Sequence, residues 1–166
     1  MFDCVNLFYA SSHIMGMITR GENRFNCCES TLLRIDDRKP LPGFDSDIMR
    51  LASNFGGGGA GWGSMCGAVS GSVMAVGLLL GTDGTESPED YQSKRERMRA
   101  ITQEVMQEFE GHWGHVDCYD LLGVNTRTPE GKKRYEEMKA RGETHCAEYV
   151  EWAAEKVLEI LDRHSV

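Results

Sequence analysis

The segment from Met65 to Leu80 constrains the fold more than any other part of the sequence, because it is apolar on nearly every face of a helix. A helix without a polar face has to be surrounded by other elements. Gly67, Gly71 and Ala75 recur at four-residue spacing along it, and such small residues let a neighbouring helix approach closely. The segment therefore predicts a buried central helix over about residues 65–80.

The rest of the chain also carries helix signals, and no stretch alternates cleanly between polar and apolar residues. Good capping residues precede the predicted helices, namely Asn26, Ser64, Ser87, Asp117, Thr128 and Thr144. The predicted elements are an apolar N-terminal helix to about Thr19, helices at about 27–35, 45–53, 65–80, 88–112, 129–141 and 145–163, and a short turn near 117–122. No linker or repeat divides the chain, so we expect one compact all-α domain over residues 1–166.

Charge and hydropathy argue against two classes of partner. The net charge is −8, whereas binding to nucleic acid starts from a basic surface. No apolar run reaches the length that a membrane span needs. The first residues, Met-Phe-Asp-Cys, lack the basic start of a secretory signal, so we expect a cytoplasmic protein.

The cysteines are the residues that point to chemistry. Six are many for a chain of this size in a reducing compartment, where cysteines more often bind metal or react than form structural disulfides. Four of them fall in the first turn of a predicted helix, and these are Cys27, Cys66, Cys118 and Cys146. Unpaired N–H groups and the helix dipole stabilise a thiolate there. We expect the four to share a site in which Cys66 has the lowest thiol pKa.

A glycine-rich segment, from Phe55 to Gly63, precedes the central helix. It lacks the Gly-Lys-Ser/Thr ending of a P-loop, and no predicted strand precedes it as a dinucleotide fingerprint requires. Nucleotide binding is therefore not predicted. We expect instead that its bare backbone approaches the cysteines and offers N–H donors to sulfur.

These features occur together in an order that resembles a known family. The matching motifs are Asn26-Cys27, Ala52-Ser53-Asn54-Phe55-Gly56-Gly57-Gly58, Cys66-Gly67-Ala68-Val69-Ser70-Gly71, Phe109-Glu110-Gly111-His112-Trp113-Gly114, Cys118, Leu121-Leu122-Gly123 and Cys146. From about Phe25 to Leu161 the chain resembles the C_GCAxxG_C_C family, whose members are described as redox-active and are often encoded near transporter genes. The resemblance implies that catalytic or metal-binding roles belong to Cys27, Cys66, Cys118 and Cys146. The glycines predicted to lie against a cofactor are Gly56, Gly57, Gly58 and Gly67.

Cys28 directly follows Cys27, and neighbouring helix positions point about 100° apart. Cys28 shares a face with Leu32 and Ile35, whereas Cys27 shares one with Ser30 and other polar residues. We expect Cys27 to be the functional thiol and Cys28 to be a packing residue.

Two redox mechanisms stay open from the sequence. In one, Cys66 attacks a disulfide or accepts oxidation, and another cysteine resolves it. In the other, the four thiolates hold an iron–sulfur cluster or another metal such as zinc. The alternative function is a non-redox metal-binding or transporter-accessory protein. The candidate partners are an unidentified redox partner, a transporter system and a second copy of the chain.

Overall fold

The computed structural model describes the backbone of residues 19–20 and 23–166 and the side chains from residue 24 onward. Within these residues the α-helices are α1 (Cys27–Arg38), α2 (Ser46–Ala52), α3 (Gly67–Leu80), α4 (Pro88–Trp113), α5 (Cys118–Leu122), α6 (Pro129–Ala140) and α7 (Cys146–Arg163). An antiparallel pair, β1 (Thr19–Arg20) and β2 (Asn23–Arg24), precedes α1, and a 3-10 turn (Ser53–Phe55) follows α2. The all-α fold is confirmed. The helix predicted before Thr19 lies outside the described residues.

The apolar helix α3 is the centre of the bundle, as predicted. It packs against α1, α4 and α7, and its residues 67–72 are all buried. It begins at Gly67, with Cys66 in the N-cap position, so the expectation that Ser64 caps it is wrong. Ser64 is instead held in an extended segment, where its carbonyl accepts a hydrogen bond from the N–H of Cys118.

The predicted close approach of a second helix to α3 is also confirmed. A Cβ added at Gly71 would lie 2.7 Å from the Cys28 carbonyl oxygen and 2.9 Å from the Thr31 Cβ. Real side chains do not tolerate such distances, so glycine at this position allows the backbones of α1 and α3 to touch.

Most of the other predicted helix starts are correct. The side chains of Ser87 and Thr128 cap α4 and α6, each by accepting a backbone N–H three residues later. Asp117 precedes α5 as expected, although its side chain makes no cap hydrogen bond. The last helix begins at Cys146 with His145 as its N-cap residue, so the expectation that Thr144 opens it is wrong. None of the helices in residues 24–166 has the apolar length to cross a membrane.

The buried side chains fall into an aliphatic end and a cysteine end. The aliphatic end comprises Cys28, Leu32, Ile35, Leu41, Ala52, Ala75, Val76, Ile101, Val105, Ala154, Val157, Ile160 and Leu161. The cysteine end comprises Cys27, Cys66, Ala68, Val69, Phe109, Tyr149, Val150 and Ala153, together with the smaller group of Cys118, Leu122 and Val124. Because α1, α3, α4 and α7 contribute to both ends, one set of helices supports two different environments.

Candidate functional site

Cys27 is fixed in place by the way in which α1 begins. The Asn26 Oδ1 accepts hydrogen bonds from the N–H groups of Cys28 at 2.8 Å and Glu29 at 3.1 Å. The Glu29 carboxylate accepts in return from the Asn26 N–H at 2.8 Å, which completes a capping box. The predicted cap is confirmed, and Cys27 is the first residue of the helix.

Cys66 and Cys118 are brought together by a short pairing of backbone segments. An antiparallel bridge joins the residues before α3 to those before α5. The Cys66 N–H donates to the Val116 carbonyl and the Cys118 N–H to the Ser64 carbonyl, both at 2.8 Å. Since side chains alternate along paired extended segments, Cys66 and Cys118 lie on the same face of this bridge. Helical periodicity gives no sign of such a pairing.

Gly67 allows Cys27 to approach the start of α3. A Cβ at Gly67 would lie 3.0 Å from both the Cβ and the Sγ of Cys27. Gly67 directly follows Cys66, so the Cys27 sulfur lies against a residue next to Cys66. A side chain at this position would push Cys27 away.

Cys146 reaches the same region from the first residue of α7. It packs against the group formed by Cys118, Leu122 and Val124, and Tyr135 and Met138 of α6 pack there as well. Cys146 is partly exposed, whereas Cys27, Cys66 and Cys118 are buried. Three of the candidate cysteines are thus the first residue of a helix, and Cys66 is an N-cap residue.

Electrostatic interactions link the thiols that we call the four-cysteine site, namely Cys27, Cys66, Cys118 and Cys146. The charge of Cys27 raises the pKa of each of the other three. Cys118 and Cys146 also raise the pKa of Cys66, and Cys146 raises that of Cys118. Every pair among the four therefore interacts, which supports the prediction that they share one site.

The expectation that their position at helix starts makes these thiols acidic is wrong for three of them. Burial is the largest cause, and it raises the pKa of Cys66 well above its usual value, that of Cys118 to about 12 and that of Cys146 to about 11. The Ala68 N–H lowers the pKa of Cys66 but does not reverse the effect. A helix start is worth about 0.3–1 kcal/mol, less than one pKa unit, whereas burial can shift a pKa by several units. The expectation of a lowered pKa at Cys66 is therefore wrong.

Cys28 has a different environment from its neighbour. Its side chain is fully buried at the aliphatic end, where its Sγ lies 3.7 Å from the Sδ of Met74. Burial raises its pKa to about 12, and the only cysteine among the causes is the adjacent Cys27. This agrees with the prediction that Cys28 packs in the core.

The glycine-rich segment folds mainly onto itself. The N–H groups of residues 59–64 donate to carbonyls of residues 54–59. They are therefore not available to sulfur, and the expectation that they donate to the cysteines is wrong for these residues. A Cβ at Gly56 would lie 2.8 Å from the Asn26 Cβ, and one at Gly58 would collide with the Ser64 carbonyl oxygen. Gly57 and Gly58 have φ values of 65° and 72°, which side chains rarely adopt. The segment thus packs between the cap before Cys27 and the residues before Cys66.

Tyr135 is a residue of this region that the sequence prediction missed. Its hydroxyl hydrogen-bonds to the Cys146 sulfur, and this contact lowers the pKa of Cys146. The charges of Cys146, Cys27 and Cys118 in turn raise the pKa of Tyr135, after burial as the largest cause. Tyr135 and Met138 are three residues apart on the otherwise charged helix α6, and this spacing was the available signal for an inward face.

An aromatic group borders the cysteine end on the side of α4 and α7. Tyr149 is buried and its ring lies 4.8 Å from that of Trp113. Burial raises the pKa of Tyr149 to about 12, and Cys146, Cys66 and Cys118 contribute. The buried indole Nε1 of Trp113 has no hydrogen-bond partner among the described residues.

The four cysteines do not form a metal site as they lie in the structure. In the part of the chain that the structure describes, no three side chains of His, Cys, Asp or Glu are arranged closely enough to hold one metal ion. The donor set itself, four thiols, fits a soft or borderline metal. A metal would therefore require the sulfur atoms to move closer together.

Comparison with known proteins identifies a family. A family model described as "Putative redox-active protein (C_GCAxxG_C_C)" matches residues 25–160. No curated protein and no solved structure matches the chain. The matched region includes α1 to α6 and nearly all of α7, and with them the whole four-cysteine site.

Proposed function

The chain belongs to the C_GCAxxG_C_C family, whose description is "Putative redox-active protein", and we propose from this that its function is reversible oxidation of the four-cysteine site by thiol–disulfide exchange. The observation that carries the proposal is that the four thiols lie in one part of the molecule. Cys27 and Cys66 pack in one buried group, and Cys146 packs against Cys118. The paired backbone segments before α3 and α5 join the two groups. Thiols in one part of the molecule can pass a disulfide from one to another after local movements of their sulfur atoms, without unfolding of the protein.

The electron count of the reaction is simple. Two thiols lose two protons and two electrons as their sulfur atoms join, and an external disulfide takes up both electrons and becomes two thiols. A reductant of the dithiol class reverses the reaction. We propose a cytoplasmic setting, because a reducing compartment returns the oxidised cysteines to thiols.

A metal–thiolate centre is the second candidate, and the raised thiol pKa values favour it. Several thiolates in one buried place repel each other, and a cation or an iron–sulfur cluster would relieve that repulsion. The four cysteines would be its ligands, Gly67 would let Cys27 reach the others, and Gly56, Gly57 and Gly58 would pack beside them. The unpartnered Trp113 N–H could donate to a bound group. The metal would supply electron transfer if it is iron, or structural ligation if it is zinc.

The test is a count of free thiols in the intact protein. Reduced protein is equilibrated with oxidised and reduced glutathione at a series of ratios, quenched with acid and counted under denaturing conditions. We expect two thiols to disappear as the buffer becomes oxidising and to return with dithiothreitol. Protein that keeps all its thiols at every ratio would contradict the proposal.

Metal analysis of protein purified without oxygen separates the second candidate from the first. A metal–thiolate redox centre would show stoichiometric metal and a spectrum that changes with reductant. A non-redox metal-binding protein, including one that serves a transporter, would change only with metal and chelator.

A further inference from the structure

One face of the central helix α3 is only partly covered by the other described elements. The helix packs against α1, α4 and α7, and its residues 67–72 are buried. Val73 and Met74, by contrast, are only partly buried. The helix carries no charged side chain, and a helix without a polar face is normally enclosed on all sides. Part of its surface therefore lacks the cover that its sequence requires.

An apolar groove runs along this face of α3. Its volume is about 360 Å³. An apolar cavity of about 150 Å³ is sufficient to bind benzene, so the groove has room for two apolar side chains or more. Among the described residues that line it, none is charged. The lining side chains are those of Phe55, Ser64, Met65, Ser70, Val73 and Met74.

The chain that precedes Thr19 enters the described structure beside this groove. The strands β1 and β2 pair antiparallel with Thr19 opposite Arg24, so Thr19 lies close to the start of α1. There the Asn26 side chain donates to a carbonyl of the 3-10 turn at 2.8 Å, and a Cβ at Gly56 would lie 2.8 Å from the Asn26 Cβ. The same turn contains Phe55, which lines the groove. Thr19 is therefore held near one wall of the groove.

The residues just before Thr19 have the composition that an apolar groove requires. Residues 14–18 read Ile-Met-Gly-Met-Ile. In residues 1–18 as a whole, Asp3 is the only side chain with a formal charge at pH 7. A segment of five residues can reach up to about 17 Å, which is enough to pass along several turns of a helix.

We propose that residues 14–18 of this chain pack in the groove and complete the cover of α3. The segment has an advantage over a second copy of the chain, because it is attached at the edge of the groove and does not lose the freedom of a separate molecule when it binds. Packing removes the apolar surface of both the segment and α3 from water. The filled groove also encloses Met65, which directly precedes Cys66.

Photo-crosslinking in the intact chain tests the proposal. Phe55 is replaced by p-benzoylphenylalanine, an aromatic amino acid whose ketone reacts with neighbouring C–H bonds on irradiation, and mass spectrometry locates the products. We expect a crosslink within one chain between position 55 and residues 14–18. Tyr119 is the matched control position, because it is 44% exposed against 40% for Phe55 and does not line the groove. The same replacement there should give no such crosslink.

Charges placed in the segment test whether apolar packing holds it. The double variant Ile14→Asp and Ile18→Asp should lower the yield of the crosslink from position 55 about tenfold or more, because an apolar groove does not solvate a carboxylate. The control Ser11→Asp and Ser12→Asp adds the same charge outside residues 14–18 and should leave the yield unchanged. Circular dichroism checks that each protein is folded. If position 55 does not tolerate the replacement, Ser64 is a second exposed position in the groove.

Three outcomes would overturn the proposal. A crosslink that joins two chains, seen as a dimer on a denaturing gel, would assign the groove to a second copy. The absence of a crosslink to residues 14–18, or their equal crosslinking from position 119, would show that the segment does not lie in the groove. An equal loss of yield in the two double variants would exclude apolar packing as the cause. The thiol count measures the proposed function separately, so either proposal can fail without the other.

Discussion

The aliphatic end and the cysteine end are built from the same helices and yet have different properties. Cys27 and Cys28 show this most directly, because they are consecutive residues of α1. The Cys28 side chain is fully buried with Leu32 and Ile35, while Cys27 packs in one buried group with Cys66. A rotation of about 100° along one helix therefore separates a residue that packs among aliphatic side chains from a residue of the proposed redox site.

The largest expected effect tests this separation directly. Cys27→Ala should abolish the reversible loss of thiols, because it removes the thiol of the proposed redox site that packs with Cys66 at the start of α3. Cys28→Ala should keep that response and lower the free energy of unfolding by about 1 kcal/mol, since it removes one packed sulfur. The thiol count and urea unfolding measure the two quantities. If Cys28→Ala abolished the response and Cys27→Ala kept it, the two residues would have been assigned the wrong way round.

The second effect is a loss of stability at high pH. Burial holds the pKa of Cys66, Cys118 and Cys146 in the reduced, metal-free protein above the value of about 9 for an exposed thiol. The unfolded chain therefore loses protons first as the pH rises. The contribution of these thiols to the free energy of unfolding is fully present below pH 9 and is lost progressively towards pH 11–12. From pH 8 to 10 we expect a loss of about 1 kcal/mol for each such thiol.

Urea unfolding at both pH values measures this loss. The variants Cys118→Ala and Cys28→Ala should each reduce this loss by the contribution of one thiol, about 1 kcal/mol. Cys28 counts here because its pKa is also raised to about 12. A loss that Cys118→Ala leaves unchanged would show that the cysteine end is more hydrated than its burial indicates.

The third effect concerns the contact between α1 and α3 at the aliphatic end. Gly71→Ala should lower the free energy of unfolding by about 1–3 kcal/mol, because its Cβ would press on the Cys28 carbonyl and on Thr31. Gly77→Ala on the same helix is the matched control, since a Cβ there meets no atom within 4 Å. The control should gain about 0.5–1 kcal/mol. Equal effects in the two variants would mean that α1 and α3 do not pack closely.

The smallest effect lies in the hydrogen bond between Tyr135 and Cys146. That bond lowers the pKa of the Cys146 thiol, so Tyr135→Phe should move the alkylation profile of Cys146 to higher pH. A bond of about 1 kcal/mol corresponds to a shift of about 0.5–1 pH unit. Met138→Leu, which changes packing at the same place, should leave the profile unchanged. A similar shift in both variants would indicate a packing effect.

The two ends also differ in how far the sequence predicts them. The all-α class, the buried α3 and the caps at Asn26, Ser87 and Thr128 follow from periodicity and local hydrogen bonding, which are properties of neighbouring residues. The spacing of small residues on α3 predicts a close helix contact, because residues four apart lie on the same face of a helix. These local signals account for most of the aliphatic end.

The cysteine end depends on contacts between distant residues, which local signals do not contain. The backbone pairing beside Cys66 and Cys118 moves the start of α3 from Met65 to Gly67. The pKa values depend on burial, which overrides the helix-start effect. Tyr135 was missed because most of α6 is charged and only its spacing with Met138 indicates an inward face.

The backbone pairing before α3 and α5 also bears on how the protein is made. Cys27 and Cys66 emerge from the ribosome well before Cys118 and Cys146. The pairing cannot form until the segment before α5 has been synthesised. During translation the first two cysteines therefore lack the neighbours that raise or lower their reactivity in the folded chain. In folding intermediates each cysteine should react with thiol reagents independently. The proposed disulfide exchange within the four-cysteine site should appear only after α7 has packed against the other helices.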